Sequence, residues 1–291
     1  MTRVMVIGAN GQLGSDLVRA LQDQELIPLT HRDVDICEPV GVRATLRRYR
    51  PEVVINTAAY HKVDECEANA ERAFAVNTLG VRNLALACRE EDVVLVHLST
   101  DYVFDGRKGS GYVETDPPNP INVYGISKLA GECFVKYLLE RHFIVRTSGL
   151  FGVAGSSGKG GNFVELMLRL AREGRAIRVV DDQVLSPTYT LDLARQIGVL
   201  IETDHYGLYH ATSHGACSWY QFAARIFELA GLSPSLSPQT TAESGARATR
   251  PAHSELENAA LKRLRLDRMR RWEEGLAAYV EARRAVHPEE E

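Results

Sequence analysis

No stretch of this 291-residue chain reaches the roughly 18 consecutive apolar residues of a membrane helix, so no membrane partner is expected. Basic charge is not in excess either. Lys and Arg number 34 against 38 Asp and Glu, a net charge of −4 with a pI near 6.2, which argues against a nucleic-acid partner. Cysteine is sparse: Cys37, Cys66, Cys88, Cys133 and Cys217 contain no Cys-x-x-Cys pair. That pattern fits reduced thiols better than disulfides or zinc, and no metal site is expected. Met1-Thr2-Arg3 runs straight into Val4-Met5-Val6-Ile7, without the basic region and longer apolar run of a signal peptide. A cytoplasmic location is expected. Internal repeats are also lacking.

What is present is an alternation of short apolar runs and helical spacings. Residues 4–7 end in Gly8-Ala9-Asn10-Gly11-Gln12-Leu13-Gly14, and Leu17, Val18 and Leu21 follow at helical spacing. Strand, glycine turn, helix is the order of a dinucleotide site. The spacing Gly-x-x-Gly-x-x-Gly is one residue longer in its first gap than the usual Gly-x-Gly-x-x-Gly. Glycines let the turn tighten and a pyrophosphate approach, and the helix start offers unpaired N–H groups. A second strand is predicted at 26–29. Where an acidic residue would hold the ribose of NAD, Thr30, His31 and Arg32 come first. Arg32 either meets the 2′-phosphate of NADP or lies solvated in the loop. Asp35 and Ile36 are placed to frame the adenine.

Further on, a helix is expected over 39–49 and a strand over 53–59 that ends in the small residues Thr57, Ala58 and Ala59, against which a cofactor can lie. A long helix over 70–90 carries Asn77 inside it, either on the surface or bonding across a cleft. The apolar run 93–98 delivers the hydroxyls of Ser99 and Thr100 to the sheet edge that carries the glycine turn. A Pro- and Gly-rich connection (105–120) leads to a helix starting near Val123, and 142–146 is a fifth strand. The fold class is therefore α/β, a Rossmann-like doubly wound parallel sheet. Residues 1–150 form its dinucleotide-binding domain, and residues 151–291 form a smaller mixed α/β part that covers the cleft and shares elements with the first.

The segment 152–161 (GVAGSSGKGG) holds five glycines and is expected to be a lid rather than a phosphate loop, with Lys159 in it. Asn162 is expected to cap a helix. Strands are predicted at 177–180 and 207–211, and helices at 188–201 and 218–229, the last capped by Ser218. His210 and His214 are expected to be ordinary surface histidines. The polar stretch 234–251 is expected to be a loop, and 271–284 a surface helix with a frayed tail behind it.

Tyr124 and Lys128 stand four apart at the start of the helix near Val123, so they share a face. A neighbouring ammonium is expected to lower the tyrosine pKa and suit the phenol to proton transfer.

Taken with the glycine turn, the sequences Asn-Thr-Ala-Ala (56–59), Ser-Thr-Asp-Tyr-Val-Phe-Asp-Gly (99–106) and Asn-Val-Tyr-Gly-Ile-Ser-Lys (122–128) resemble the extended short-chain dehydrogenase/reductase family. Within it, the chain is similar to dTDP-4-dehydrorhamnose reductases. Arg146-Thr147-Ser148, Gly161-Asn162-Phe163, Asp182-Gln183, Ser186-Pro187-Thr188 and Arg250-Pro251 with Ser254 and Leu256 add to the likeness. The resemblance implies reduction of a nucleotide-activated 4-keto-6-deoxysugar by NADPH, with NADH as the alternative cofactor. It implies a catalytic set of Thr100, Tyr124 and Lys128. The cofactor set becomes Gly8, Asn10, Gly11, Gln12, Leu13, Gly14, Arg32, Asp35, Ile36, Ala58, Ala59, Tyr60, Asn77 and Ser99 with Tyr124 and Lys128. On the substrate side it implies Asp101, Tyr102, Val103, Gly149, Asn162 and Arg250, and some relatives form homodimers.

Two positions depart from the family pattern. Gly149 replaces a large aromatic, which is expected to open or reshape the sugar pocket, and Glu255 stands where a basic residue is usual. Two other readings keep the fold. One is a regulatory NADP-binding protein resembling the β subunit of methionine adenosyltransferase. The other is a nucleotide-sugar epimerase or dehydratase.

Overall fold

Near-continuous apolar runs can be satisfied only by strands covered on both faces, and that is how they are used. The computed structural model describes residues 1–154 and 161–286. The strands are β1 (Arg3–Ile7), β2 (Glu25–Leu29), β3 (Val53–Asn56), β4 (Val94–Thr100), β5 (His142–Thr147), β6 (Leu150–Phe151), β7 (Ile177–Val180), β8 (Val184–Leu185), β9 (Thr188–Tyr189), β10 (Gly207–His210), β11 (Cys217–Ser218) and β12 (Leu236–Gln239). Six of them make one parallel sheet in the order β10-β5-β4-β3-β1-β2.

The helices are α1 (Gln12–Ala20), α2 (Pro39–Tyr49), α3 (Val63–Ala68), α4 (Ala70–Phe74), α5 (Val81–Glu90), α6 (Val123–Leu138), α7 (Phe163–Arg172), α8 (Thr190–Ile201), α9 (Trp219–Ala230), α10 (Ala259–Arg263) and α11 (Trp272–Val286). Successive strand residues point to opposite faces. Val4, Val6, Ile55 and Val96 pack on α1 and α8, while Met5, Ile7, Val54 and Leu95 pack on α2, α5 and α6. A third cluster, built on Phe151, Tyr189, Phe222 and Tyr279, joins α7, α9 and α11. The sixth strand of the sheet, β10, and the covering helix α8 both come from residues after 150.

Four local expectations are corrected. The helix over 70–90 is interrupted by a π-helical segment, Ala75–Gly80, centred on Asn77. Such bulges open the hydrogen-bond ladder and recur at functional sites. The stretch 234–251 contains β12, which pairs in parallel with β7; its Leu236 and Pro238 gave no alternation to read. The closing helix is not a surface helix throughout, because Trp272, Leu276, Tyr279 and Val280 are buried. His210 is not a surface residue. It is fully buried, its Nδ1 lies 3.0 Å from the Tyr112 carbonyl oxygen, and burial together with Arg146 pushes its pKa down to about 3. Most of the glycine-rich segment 152–161, including Lys159, lies outside the described residues. Among the described residues no helix is long and apolar enough to cross a membrane.

Candidate active site

The strand order reverses at β1: β2 leaves on one side and β3 on the other. A crevice opens at such a switch point, beyond the carboxyl ends of the strands. The Gly8–Gly14 turn leaves β1 there and Thr57–Ala59 leave β3. Both line a single cleft of about 960 Å³, together with Thr100, Tyr124 and Lys128. Helix α1 starts at Gln12 behind Gly11, with no side chain capping its free N–H groups. A Cβ on Gly14 would stand 2.1 Å from the Gly8 carbonyl oxygen, so only glycine lets the turn pack this close. An uncapped helix start behind a tight glycine turn fits a pyrophosphate.

At the end nearest β2 the cleft is lined by His31, Asp35 and Ile36, with Ala58, Ala59 and Tyr60 along the wall. Arg32 does not line it; it is exposed in the loop, where its N–H donates to Thr30 Oγ1 at 3.2 Å. Arg72 of α4 does line it, with its guanidinium 5.3 Å from the Tyr60 ring centroid. Nothing in the sequence spacing singled out Arg72, which reaches the cleft only because α4 packs behind Tyr60.

Asn77 is fully buried and does not line the cleft. Its Oδ1 accepts from the Tyr60 N–H at 2.8 Å, and its Nδ2 donates to the Tyr60 carbonyl at 2.9 Å and to Ser127 Oγ at 3.0 Å. It therefore pins the cofactor wall to the helix that carries Tyr124 and Lys128. Ser99 lines the cleft, but its hydroxyl donates inward to Glu132 Oε1 at 2.6 Å.

Asn122 caps α6 by accepting from the Gly125 N–H at 2.8 Å. A Cβ on Gly125 would lie 2.1 Å from the Tyr102 carbonyl oxygen, so this glycine sets how closely the helix approaches the turn after β4. Tyr102 and Tyr124 meet edge to face at 5.9 Å. The expected effect of Lys128 on Tyr124 is corrected. Burial and nearby Asp101 push the Tyr124 phenol well above its ordinary value, while the Thr100 hydroxyl works the other way. The Lys128 ammonium instead donates to the Leu98 carbonyl at 2.6 Å. It is 2% exposed, and burial brings its pKa down to about 8, with Glu132 opposing that shift.

Thr100 Oγ1 donates to Asp101 Oδ1 at 3.0 Å. The second Asp101 oxygen accepts from Ser148 at 2.9 Å and Ser254 at 2.6 Å. The Asp101 carboxylate is thus held by three hydroxyls from three segments, and burial raises its pKa. Val103 is placed away from the cleft, with its side chain packed among Phe104, Tyr112 and Leu256. Asn162 lines the cleft, caps α7 through Glu165 N–H at 3.1 Å and donates to the Gly152 carbonyl at 2.9 Å. Arg250 lines it too, paired with Asp64 at 2.8 Å.

The space expected beside Gly149 is not open. Its φ is +54°, and a Cβ there would stand 2.7 Å from Leu185 Cδ1 and 3.1 Å from Pro187 Cα. Gly149→Ala is expected to lower stability by about 1–3 kcal/mol, read from denaturant unfolding; an unchanged midpoint would contradict the strain. Aromatic surface enters the same cleft elsewhere. Trp219 of α9 and Phe163 of α7, with ring centroids 4.6 Å apart, both line it. Trp219 carries no functional signal in the sequence, because it follows the Ser218 cap and reads as the first turn of a packing helix. Glu255 pairs with His253 at 3.2 Å. Among the described residues no group of three or more His, Cys, Asp or Glu could hold a metal ion.

Residues 1–285 match the family described as RmlD substrate binding domain. The chain is 40% identical over 285 residues to the spore coat polysaccharide biosynthesis protein SpsK of Bacillus subtilis, covering 97% of this chain and 98% of that protein. It is also 40% identical over 269 residues to a dTDP-4-dehydrorhamnose reductase of Aggregatibacter actinomycetemcomitans, covering 87% and 90%. A crystal structure of dTDP-4-dehydrorhamnose reductase from Bacillus anthracis in complex with NADP shares 42% identity and superposes with a TM-score of 0.92, covering 97% of this chain and 99% of that one.

Proposed function

Since this chain belongs to the family described as RmlD substrate binding domain, we propose that it is an NADPH-dependent oxidoreductase that reduces the 4-keto group of dTDP-4-dehydrorhamnose. The observation that carries this reading is the convergence of Thr100, Tyr124 and Lys128 on the cleft into which the glycine turn opens. When bound, the nicotinamide supplies the hydride. The chain supplies the proton and the charge. Tyr124 keeps its proton at neutral pH, because burial disfavours the phenolate, and so it is the acid that protonates the ketone oxygen. Thr100 has one hydroxyl hydrogen, now on Asp101. Turning it to the substrate oxygen leaves Asp101 still held by Ser148 and Ser254. Lys128 uses one N–H on Leu98 and has two more for the nicotinamide ribose.

The cofactor end fits NADPH through Arg72 rather than Arg32. A 2′-phosphate beyond β2 would meet the Arg72 guanidinium and His31 at the cleft rim, offsetting Asp35. Arg72→Ala is expected to raise the KM for NADPH about tenfold, the scale of one charge-assisted hydrogen bond, with the KM for NADH unchanged. Equal effects on both cofactors would show that Arg72 does not touch the phosphate. At the other end, Tyr102, Asn162, Trp219 and Arg250 face the nucleotide sugar.

The test is NADPH oxidation by the purified protein with dTDP-4-dehydrorhamnose, compared with other nucleotide sugars. Stoichiometric oxidation supports the reading. Tight NADPH binding without turnover on any of them would favour the regulatory alternative, and conversion without net oxidation an epimerase. A reducing cytoplasmic compartment is part of the proposal, supported by five cysteines that form no disulfide among the described residues. Homodimer formation is the proposed assembly, checked by light scattering of the purified protein.

A further inference from the structure

Glu132 lies one helical turn beyond Lys128 on the same face of α6, and none of it reaches solvent. A carboxylate in that position needs a counter-charge and hydrogen bonds. Arg146 of β5, itself 1% exposed, makes a bidentate pair with it, at 2.8 Å from Nε to Oε1 and 2.7 Å from Nη2 to Oε2. Ser99 of β4 donates to Oε1 at 2.6 Å, and Lys136 approaches Oε2 from the rim at 3.7 Å. Ser99 is the residue before Thr100. One carboxylate therefore ties together the helix that carries Tyr124 and Lys128, the strand end that carries Thr100, and the strand beyond. A buried ion pair contributes little net stability compared with well-packed apolar residues, so stability alone does not account for this one.

The charged and titratable groups around Lys128 come from every element packed on it. Tyr124 and Glu132 lie on its own helix. His97 of β4 is buried and kept neutral, with its Nδ1 3.3 Å from Asn56 Nδ2. Arg146 of β5 reaches Glu132. Asp101 of the turn after β4 and Cys66 of α3 act on Tyr124. Among these, Glu132 is the group whose charge favours the Lys128 ammonium. We propose that Glu132 is a positioning residue of the reductase: its carboxylate is the counter-charge that keeps an ammonium beneath the cofactor cleft, and through Ser99 it fixes the strand end that presents Thr100. This inference rests on the reductase reading above.

The experiment follows the Lys128 side-chain resonance by NMR through a pH titration of cofactor-free, lysine-labelled protein, assigned by its loss in Lys128→Met. Glu132→Gln removes the carboxylate and leaves Arg146 unpaired, and both changes disfavour the ammonium. The Lys128 midpoint is expected to fall by about one pH unit, which lowers the ammonium fraction at pH 8, and with it kcat/KM for NADPH there, about fivefold. Arg146→Met is expected to move the midpoint upward. Glu132→Met/Arg146→Met removes the pair as a whole, a change that buried pairs tolerate, and should also lower the midpoint, so the test survives if the single variants do not fold. Ser99→Ala leaves the charge pair in place: kcat should fall a few-fold with the midpoint unmoved. A midpoint unmoved in the folded double variant overturns the inference. Because that midpoint is read without substrate, failure of the wild-type protein to oxidise NADPH would overturn the reductase reading separately.

Discussion

Tyr124→Phe is expected to lower kcat by about 10²–10⁴-fold, the scale of losing a positioned proton donor, while the Kd for NADPH, measured by fluorescence, stays within a few-fold of wild type. Phe keeps the ring, so the edge-to-face contact with Tyr102 at 5.9 Å persists and the α6 backbone has no reason to shift. Only the hydroxyl is lost. Burial and Asp101 hold that hydroxyl in its protonated form, which is the state a ketone reduction consumes. It follows that the phenol remains an acid across the neutral range and that an alkaline limb of the pH profile near neutrality does not belong to it. Turnover near the wild-type rate in the variant would remove Tyr124 from the mechanism and leave the Thr100 hydroxyl or a bound water as the proton source.

The second large effect is expected at Lys128. Lys128→Met should lower kcat/KM for NADPH by about 10–100-fold, the scale of charged hydrogen bonds to a ligand. The wild-type profile of kcat/KM for NADPH should decline as pH rises through about 8, where Lys128 loses its proton, because this parameter reports the cofactor-free enzyme. The variant should show no such decline. A limb that survives in the variant would belong to another group.

Stability should move the other way. The folded-state pKa of Lys128 is lowered from 10.5 to about 8, so the native state carries the full penalty of a buried ammonium below pH 8. That penalty fades as pH rises toward the unfolded value. Between about pH 8 and 10 the unfolded chain binds more protons, and wild-type stability should gain a contribution that Lys128→Met lacks. At pH 7 the variant should melt no lower than wild type, which a denaturant or thermal scan will check.

Much of this site could be read from the chain, because its signals are local. The glycine turn announces itself by position: it follows a buried strand and precedes a helix. Thr100 and the Tyr124–Lys128 pair sit where strand four ends and a helix begins, and these are backbone events that a few neighbouring residues dictate. Asn162 and Ser218 were legible as caps for the same reason. Arg32 stayed open between a 2′-phosphate contact and a solvated loop position, because sequence distance from β2 was the only available measure of reach; the loop leaves it exposed, while α4, far along the chain, brings Arg72 to the cleft. For Gly149 the sequence left open whether the pocket is opened or reshaped; Leu185 and Pro187 leave no free space on its Cβ side, while Gly149 itself lines the cleft.

By itself, then, the sequence determined the strand–helix alternation, the glycine turn and the Thr100, Tyr124 and Lys128 side chains that line the cleft, since hydrophobic periodicity, glycine and capping residues act over a handful of neighbours. Only the tertiary structure decided how those side chains are charged and held. Lys128 points at Leu98 rather than at Tyr124, Asp101 is claimed by Ser148 and Ser254, Asn77 pins the cofactor wall, and Glu132 meets Arg146. Those outcomes depend on burial and on partners between 14 and 153 positions away in the chain. Desolvation and long-range pairing exist only once the sheet has brought those segments together.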